Sequence, residues 1–598
     1  MINRETAPIE QTWDLTTLFQ DEKSYEEALD KLVVDTENFT KQYRGQIQTA
    51  TDINAAFAHY RSILELRARI LPYASLPVNA NTLDKEAQNR YSHASRVLAN
   101  VSAQLSFFEN EVANIADAIL KEAAKNTEDQ LAITKIIKQK PHQLSPETEA
   151  TLAALSNTLD YPYQGYNDIK FKDLQFPDFE VNGQVHEMTY NSFEGRQEAT
   201  PDTDLRRAAF RNFSDTLRRY QHSTASVYNA QVQMEKTMAT LRGYDSVIDY
   251  LLERQDVSVD LYNRQIDVIM DELAPHMRRY AQLIGEIYQL DEVRYEDLKL
   301  DIDPTFSPNV TYQEAQQYVL DGLAQLGEDY IAIMREAFDN RWIDYAETRG
   351  KRTGAFCSSP YGTNSFILMF FSENMSDTMT LAHELGHAGH FQMAYRYQNI
   401  LNARPSMYFV EAPSTANELL VENHLLDVAG DDVRMKRWII SQMVGKTYYH
   451  NFVTHLLEAY YQREVYRLVD QGKSVDAETL NRIYRETLEK FWGDSVVLTE
   501  GAELTWMRQP HYYMGLYSYS YSAGLTIGTQ VANNIRQQGA AAAEQWIKVL
   551  QMGGSKSPLE LAKAADVDVS TDQPLKSTIA YIGRLIDQLE NYTKELNK

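Results

Sequence analysis

The chain has 598 residues, which corresponds to about four domain equivalents and excludes a small binding module. Hydrophobic residues make up 43% of the sequence and charged residues 24%, the balance of a globular protein, which excludes disorder of the whole chain. The 58 basic and 84 acidic residues give a net charge of −26, so neither nucleic acid nor an anionic membrane surface is an expected partner.

The cysteine count and the N-terminal segment indicate the cellular compartment in which we expect the protein. One cysteine, Cys357, can form neither an intrachain disulfide nor a cysteine-based zinc cluster, as is typical of a reducing environment. The N-terminal segment has no basic region followed by an apolar stretch, and the longest apolar run, Phe366 to Phe371, is too short to span a bilayer. We therefore expect a soluble cytoplasmic protein.

Residues 23–160 carry mainly helical spacing, which predicts an N-terminal helical region. Apolar residues recur there at steps of three and four, which places them on one buried stripe: Leu105, Phe108, Val112, Ile115 and Ile119. The pattern then changes, because Asn182-Gly183 between two short apolar runs favours a two-residue hairpin turn. Thr200-Pro201-Asp202 is a helix start signal, and we place a domain boundary there, between 1–200 and 201–598.

Helical spacing dominates the rest of the chain, with one exception at residues 354–371. There, Ala355-Phe356-Cys357 and the run Phe366 to Phe371 flank Ser358-Ser359-Pro360-Tyr361-Gly362, which predicts two strands around a turn. The first of these strands is a candidate edge strand that could hold an extended peptide by main-chain hydrogen bonds. Cys357 within it is expected to pack rather than to act as a nucleophile, since no partner residue activates it.

The segment that follows contains the pattern His-Glu-x-x-His, at His383, Glu384 and His387. Residues four apart share a helix face, so both imidazoles can reach one metal ion while Glu384 lies beside the open coordination position. Ser376 or Asp377 can cap this helix. A predicted strand precedes it, as is expected for a zinc-binding helix with this motif.

Zinc needs a third protein ligand, and two residues compete for that position. The extended pattern with a further histidine is excluded, because it requires Gly at 390 and His at 393, where the chain has His390 and Met393. His390 shares the helix face of the two histidines, but three ligands nearly in line along one helix surround an ion poorly. The next acidic residue is Glu411, and Pro413 predicts a helix that starts beside it and runs towards Gly430.

His-Glu-Leu-Gly-His, followed after 24 residues by Glu411 in Val-Glu-Ala-Pro-Ser, resembles the thimet oligopeptidase and oligoendopeptidase F family of zinc metallopeptidases. The resemblance implies that Glu411 is the third ligand of one Zn²⁺ ion and that Glu384 is the general base. It also implies a mainly α fold, a two-lobed helical body around a deep substrate channel with a small β-sheet next to the zinc-binding helix. Residues 1–200 would then form the N-terminal helical lobe and 201–598 the catalytic domain.

Two further groups of residues complete the predicted site. Glu418, seven residues after Glu411, returns to the same helix face and could orient a metal ligand from behind, although a solvated or structurally paired carboxylate is equally compatible with the sequence. Five tyrosines occur in residues 512–521, where the family places a histidine and then tyrosines that donate hydrogen bonds to the tetrahedral intermediate. His511 matches that histidine, and we favour Tyr519 and Tyr521 as the tyrosines.

These observations predict a zinc-dependent endopeptidase that hydrolyses internal bonds of short unstructured oligopeptides. A carboxypeptidase or dipeptidyl carboxypeptidase on the same zinc site is the alternative within enzymes, and it requires a cationic group that the sequence alone cannot place. A catalytically dead helical peptide-binding protein is the alternative from another class, although such a protein has no need for Glu384. Oligomeric state and cleavage preference are not indicated by the sequence.

Overall fold

Helices dominate the computed structural model, which describes residues 2–352 and 354–597. The helices of the first 200 residues are Glu22–Tyr43 (α1), Ala50–Ala80 (α2), Lys85–Leu105 (α3), Phe107–Ala113 (α4), Asp117–Ala123 (α5), Gln130–Gln139 (α6), Pro146–Leu159 (α7), Tyr161–Asp168 (α8) and Tyr190–Gly195 (α9).

The remaining helices begin at Thr203, where the sequence predicts a helix start, and the Asp202 side chain caps the first of them. They are Thr203–Leu241 (α10), Val247–Glu253 (α11), Val259–Glu272 (α12), Ala274–Tyr288 (α13), Tyr312–Leu323 (α14), Glu328–Asp339 (α15), Met375–Tyr397 (α16), Ala412–Val428 (α17), Val433–Gln442 (α18), His455–Asp470 (α19), Ala477–Trp492 (α20), Ser518–Gln538 (α21), Ala540–Met552 (α22), Pro558–Ala564 (α23) and Gln573–Leu596 (α24). A π-helical segment, Met443–Thr454, joins α18 to α19. Within the described part of the chain, none of the helices combines the length and apolar character needed to cross a membrane.

The predicted stripe from Leu105 to Ile119 packs against one core, with Ile115 and Ile119 only partly buried, but it does not lie on one helix. It is divided among the end of α3, α4 and α5, with Ile115 in the connection between the last two. Ser106, Asn110 and Asn114 explain the breaks, because their side chains bond to backbone carbonyls three or four residues earlier and compete with the helical pattern. Apolar spacing survives such breaks, so periodicity alone overestimates the length of a helix.

Two small β-sheets interrupt the helices in the described residues. Phe179–Val181 (β1) and Gln184–His186 (β2) form the predicted hairpin, with Asn182 and Gly183 both at positive φ, as a type I′ turn requires. The second sheet contains Ile343–Asp344 (β3), Phe356–Ser358 (β4) and Phe366–Leu368 (β5), in the order β3-β5-β4. Strand β5 pairs parallel with β3 and antiparallel with β4, which leaves β4 at the edge, as predicted.

Strand β5 lies between the two hydrophobic cores of the molecule. One core gathers N-terminal side chains from Trp13 to Ile133 and also contains Phe366 and Leu368, whereas Ile367 belongs to the core that extends from Met188 to Leu589. Successive side chains of a strand point to opposite faces, so this short strand contributes to both cores. The mainly α fold with small sheets is confirmed; the domain boundary near residue 200 stays a prediction.

Helix α17 packs so closely against α16 and α21 that a side chain has no room at one glycine of each neighbouring helix. A Cβ atom on Gly386 of α16 would lie 2.5 Å from the Ser414 Cα atom, and one on Gly524 of α21 would lie 2.5 Å from the Glu411 Cβ atom. Both distances are far shorter than a carbon–carbon van der Waals contact. Glycine at these two positions therefore permits the approach that brings Glu411 to the histidines of α16.

Candidate active site

Helix α16 positions the two histidines of the His-Glu-x-x-His motif on one face. The residue that caps the helix is Asn374, whose side-chain oxygen accepts a hydrogen bond from the backbone N–H of Asp377. The prediction of Ser376 or Asp377 as the cap is wrong, because Asn374, whose backbone is extended and pairs with Asn309 in a β-bridge, comes directly before the first helical residue. Both predicted cap residues consequently lie inside the first turn.

Glu411 meets both histidines at the N-terminal end of α17. Its Oε2 atom lies 3.4 Å from the His383 Nε2 atom and 3.3 Å from the His387 Nε2 atom. Zinc bonds of about 2.0–2.2 Å to nitrogen and oxygen in a tetrahedral arrangement place neighbouring ligand atoms about 3.3–3.5 Å apart, so this donor set fits a zinc ion. Ser414 donates a hydrogen bond of 3.0 Å to the same carboxylate oxygen. We name His383, His387 and Glu411 the His383 cluster.

The other candidate ligand, His390, lies outside this cluster. Its ring is fully buried, stacks on Phe391 and contacts Phe409 edge-on, and neither ring nitrogen has a hydrogen-bond partner among the described residues. Burial lowers the pKa of His390 to about 3, with His387 as a second cause, so the imidazole is neutral. His390 is therefore a buried core residue in this structure.

The carboxyls of Glu384 and Glu411 differ in the direction of their pKa shifts, although both are buried. Burial raises the pKa of Glu384 above its ordinary value against the opposing charges of the two histidines. Burial acts on Glu411 in the same direction, but His387 and His383 together hold the pKa of Glu411 well below its ordinary value. A carboxyl with a raised pKa can accept and return a proton, whereas one with a lowered pKa stays an anionic ligand.

Glu418 lies directly behind His383. Its Oε2 atom is 3.2 Å from the His383 Nδ1 atom, and its other oxygen accepts a hydrogen bond from Thr447 of the π-helical segment. With a proton on Nδ1 shared with Glu418, His383 presents the lone pair of Nε2 to the cluster. The seven-residue spacing from Glu411 thus returns Glu418 to the site.

The His383 cluster opens into a cavity of about 550 Å³, lined also by Glu384 and by Ala355, the residue before β4. A second cavity, of about 450 Å³, contains His511. The two cavities adjoin, because they share a set of lining residues: Glu194, Glu198, Lys299, His450 and Tyr521. Ala355 brings the start of the edge strand β4 to this space, and within β4 burial raises the pKa of the Cys357 thiol to about 12, so it is not a nucleophile.

Of the two tyrosines favoured from the sequence, the structure brings one to the cavities. Tyr521 lines both of them, and burial raises its pKa, so its hydroxyl is a neutral donor. Tyr519 is fully buried elsewhere, where its hydroxyl donates a 2.5 Å hydrogen bond to Gln255 Oε1 and its ring packs on Tyr262. Helix α21 begins at Ser518, so residues 519 and 521 face different directions, and the prediction for Tyr519 is corrected accordingly.

Four residues of the site were not identified from the sequence. Tyr517 stacks on His511 and contacts Tyr521 edge-on, and its four-residue separation from Tyr521 is a helical signal that could have identified it. Ser414 donates a hydrogen bond to Glu411, and Thr447 donates one to Glu418. Glu458 accepts a hydrogen bond from His511. Glu458 precedes His511 by 53 residues, and no local pattern connects the two.

Comparisons with known proteins identify the family of this chain. The family model described as "Peptidase family M3" matches residues 197–581, and one described as "Oligopeptidase F" matches residues 112–176. The chain is 26% identical to Oligopeptidase PepF of Bacillus subtilis (strain 168), over 98% of this chain and 88% of the relative. It is 24% identical to the plasmid-encoded oligoendopeptidase F of Lactococcus lactis subsp. cremoris, over 100% and 98% of the two chains. The crystal structure of oligoendopeptidase-F from Enterococcus faecium has the same fold, with a TM-score of 0.74, 21% identity, and coverage of 96% of this chain and 99% of that one.

Proposed function

This chain belongs to peptidase family M3 and is a metalloendopeptidase, and from that premise we propose that it uses one zinc ion to hydrolyse internal bonds of short unstructured oligopeptides. The observation that carries the proposal is the convergence of the His383 and His387 Nε2 atoms on one oxygen of Glu411, beside Glu384 and a cavity. Peptide substrates agree with the names of the relatives, which are an oligopeptidase and an oligoendopeptidase.

We assign the ligand role to His383, His387 and Glu411. A zinc ion held there supplies a Lewis acid that polarises the scissile carbonyl and lowers the pKa of water. Glu384 accepts the proton of the attacking water and transfers it to the leaving amine, a role that its raised pKa favours because the carboxyl must hold the proton between the two steps. Glu418 keeps His383 in the tautomer that presents Nε2.

Side chains that line the two adjoining cavities provide hydrogen-bond donors for the developing oxyanion. Tyr521 offers a neutral hydroxyl, and His511 lies close to it, with ring centroids 5.6 Å apart. Preorganised donors of this kind act on the charge that develops only in the transition state. Strand β4 has a free edge on the side away from β5, so an extended peptide can pair with it while its scissile bond reaches Glu384.

A site recessed between helices favours short flexible peptides over folded proteins. The cavities are recessed between helices, and Ala355, directly before β4, lines one of them, so a folded domain cannot present an extended segment there. We also propose a cytoplasmic location, since a long chain with a single cysteine is typical of a reducing compartment.

The test is Glu384→Gln, measured for zinc content and for hydrolysis of a peptide with an internal quencher pair. Zinc should stay at one per chain, because Glu384 is not a ligand, while kcat falls by about 10²–10⁴-fold, the usual contribution of a positioned base. Glu336→Gln, an exposed carboxylate of α15, is the control and should keep full activity. Near-normal turnover of Glu384→Gln would contradict the proposal.

One observation favours the alternative, a carboxypeptidase or dipeptidyl carboxypeptidase on the same site. The Lys299 ammonium lines both cavities, lies 4.6 Å from the centroid of the Tyr449 ring, and has no ion-pair partner among the described residues. Such a cation could bind the terminal carboxylate of a peptide. Amidation of the substrate C-terminus decides between the two activities, since the endopeptidase should cleave free and amidated peptides at the same internal bond, whereas the alternative loses the amidated one.

A further inference from the structure

A second group of two histidines and a glutamate includes His511, and the proposed mechanism uses His511 but assigns no role to the other two members. We name His455, Glu458 and His511 the His455 cluster. The Glu458 side chain is fully buried, and its Oε2 atom lies 2.8 Å from His455 Nδ1, 3.3 Å from His511 Nδ1 and 3.0 Å from the Ser518 hydroxyl. Within the described chain, no lysine or arginine forms an ion pair with this carboxylate, so the two imidazoles are the groups that can balance its charge.

The distances determine which ring nitrogen carries a proton. An ionised carboxylate only accepts hydrogen bonds, so both Nδ1 atoms that face Glu458 must carry a proton. His455 uses its second nitrogen internally, because its Nε2 atom lies 2.9 Å from the Nε2 atom of His450. His511 does not, since its Nε2 atom has no protein hydrogen-bond partner among the described residues and its ring lines the second cavity.

This arrangement constrains what His511 can do for an oxyanion. A neutral imidazole with its proton on Nδ1 has a bare Nε2 atom, which can accept a hydrogen bond but cannot donate one. Donation from Nε2 therefore requires the imidazolium, whose positive charge a buried carboxylate at the opposite nitrogen stabilises. The surrounding rings act in the same direction, because Tyr517 and Tyr521 lie with their centroids 5.2 and 5.6 Å from that of His511, within reach of a cation–π contact.

We propose that Glu458 is a positioning residue that holds His511 as an imidazolium with Nδ1–H directed at the carboxylate and Nε2–H directed at the cavity, so that His511 donates to the oxyanion of the tetrahedral intermediate. Glu458 itself touches no substrate. The assignment rests on the proposed peptidase function, which gives the oxyanion its place. The other charged or titratable groups near His511 cannot balance its positive charge. The side chains of His450, Lys299 and Arg508 are either cationic or neutral. The carboxylates of Glu194 and Glu198 form ion pairs with Arg508 instead.

Glu458→Gln tests this role, because the amide keeps the shape and can still accept from His511 but cannot balance a positive charge. We expect kcat to fall by at least about 10-fold and by at most the roughly 10²–10³-fold cost of losing one oxyanion donor, with KM within about 3-fold of wild type. A phosphinic pseudopeptide, which mimics the tetrahedral intermediate, should bind more weakly by the same factor as kcat falls. The double variant Glu458→Gln/His511→Ala should be no slower than His511→Ala alone.

Glu235→Gln is the matched control. Glu235 is also a buried glutamate with side-chain partners, Gln231 and Tyr466, but it lies on α10 outside both cavities. It should keep the wild-type kcat. A Glu458→Gln enzyme with the same kcat as Glu235→Gln, or losses that multiply in the double variant, would overturn the positioning role. A second zinc ion in wild type that is missing from Glu458→Gln would overturn it in favour of a metal site.

A measurement on wild type covers the case in which Glu458→Gln does not fold. In enzyme labelled with ¹⁵N-histidine and saturated with the phosphinic pseudopeptide, His511, assigned by its absence in His511→Gln, should show protons on both ring nitrogens. A neutral His511 ring in this complex would contradict the proposal. The parallel assay of Glu384→Gln separates the two levels: full turnover of that variant removes the peptidase mechanism and this inference together, whereas an inactive Glu384→Gln beside a normal Glu458→Gln removes this inference alone.

Discussion

The His383 cluster and the His455 cluster contain the same residue types, two histidines and one glutamate, but differ in which ring nitrogens face the carboxylate. In the His383 cluster both Nε2 atoms approach Glu411 at 3.3–3.4 Å, and the Nδ1 atom of His383 is taken by Glu418 from behind. In the His455 cluster the Nδ1 atoms themselves face Glu458, one of them at 2.8 Å. The Nε2 spacing of the His383 cluster fits ligands around a metal ion, whereas the 2.8 Å contact between His455 and Glu458 is a hydrogen bond between histidine and carboxylate. Residue composition alone therefore does not identify a metal site.

The largest expected difference between the clusters is in zinc content. His387→Ala removes one of the three proposed ligands and should lower zinc from the proposed one per chain to near zero, with loss of all measurable hydrolysis. His455→Ala should keep one zinc per chain, because the His455 cluster holds protons rather than metal. Metal analysis after dialysis checks both variants. If His455→Ala lost zinc as completely as His387→Ala, the two clusters would not differ in the way the distances indicate.

The third ligand decides whether the metal site needs two helices. Glu411→Ala should lose zinc as completely as His387→Ala, and added zinc should raise the melting temperature of wild type but not of this variant, because the ion connects α16 to α17. His390→Leu should keep the metal and most of the activity. It should also keep its stability, since leucine replaces a buried ring whose nitrogens have no partner in the described structure. Zinc loss in His390→Leu with a filled site in Glu411→Ala would transfer the ligand role to His390.

Tyr521 lies between the two clusters, and its hydroxyl provides the next largest effect. Its ring stacks on His455 with centroids 4.1 Å apart, and the same side chain lines the cavity of the His383 cluster. Tyr521→Phe should lower kcat by about 10²-fold with little change in KM, as expected for a donor to the oxyanion. Tyr519→Phe should keep kcat and lose about 1 kcal/mol of stability with its hydrogen bond to Gln255. Equal losses of kcat in the two variants would contradict the different placement of these tyrosines.

Local signals in the sequence predicted the parts of the molecule that local physics determines. Asn182-Gly183 specified the hairpin turn, Pro413 specified the start of α17 beside Glu411, and the spacing of His383 and His387 specified a shared helix face. Each rests on backbone preferences within four residues. For the same reason the mainly α fold was accessible from the sequence, and the pairing of β4 with β5 followed from a turn signal between two apolar runs.

The errors and omissions concern features that the helix register or the tertiary structure determines. Tyr519 and Tyr521 were chosen without knowing where α21 begins, and a helix starting at Ser518 instead pairs Tyr521 with Tyr517. The cap of α16 is Asn374 because a bridge to Asn309 holds its backbone extended directly before the first helical residue. The contacts of Glu458 with His511 and of Thr447 with Glu418 join helices far apart in sequence, which no pattern in a single sequence encodes.

The smallest expected effect concerns how each cluster is assembled. The His455 cluster has two of its members within one turn of α19, whereas the His383 cluster depends on the approach of α16 and α17 at Gly386. Gly386→Ala would place a methyl group 2.5 Å from the Ser414 Cα atom and 2.7 Å from the Pro413 carbonyl oxygen, and backbone atoms cannot rotate away as a side chain can. The two helices must separate, at a cost of about 1–3 kcal/mol that exceeds the higher helix propensity of alanine.

Separation of α16 from α17 displaces Glu411 from the two histidines, so Gly386→Ala should weaken zinc binding as well as lower the melting temperature. The matched control is Gly165→Ala on α8, where the new Cβ would meet Val227 at an ordinary 3.5 Å, and this variant should keep its stability and its zinc affinity. Competition with a chelator measures the affinity, and ¹⁵N-histidine spectra report on His455 and His511, which should not change in either variant. Altered spectra of these two histidines in Gly386→Ala, at unchanged zinc affinity, would show that the assembly of the two clusters is coupled and that their difference lies elsewhere.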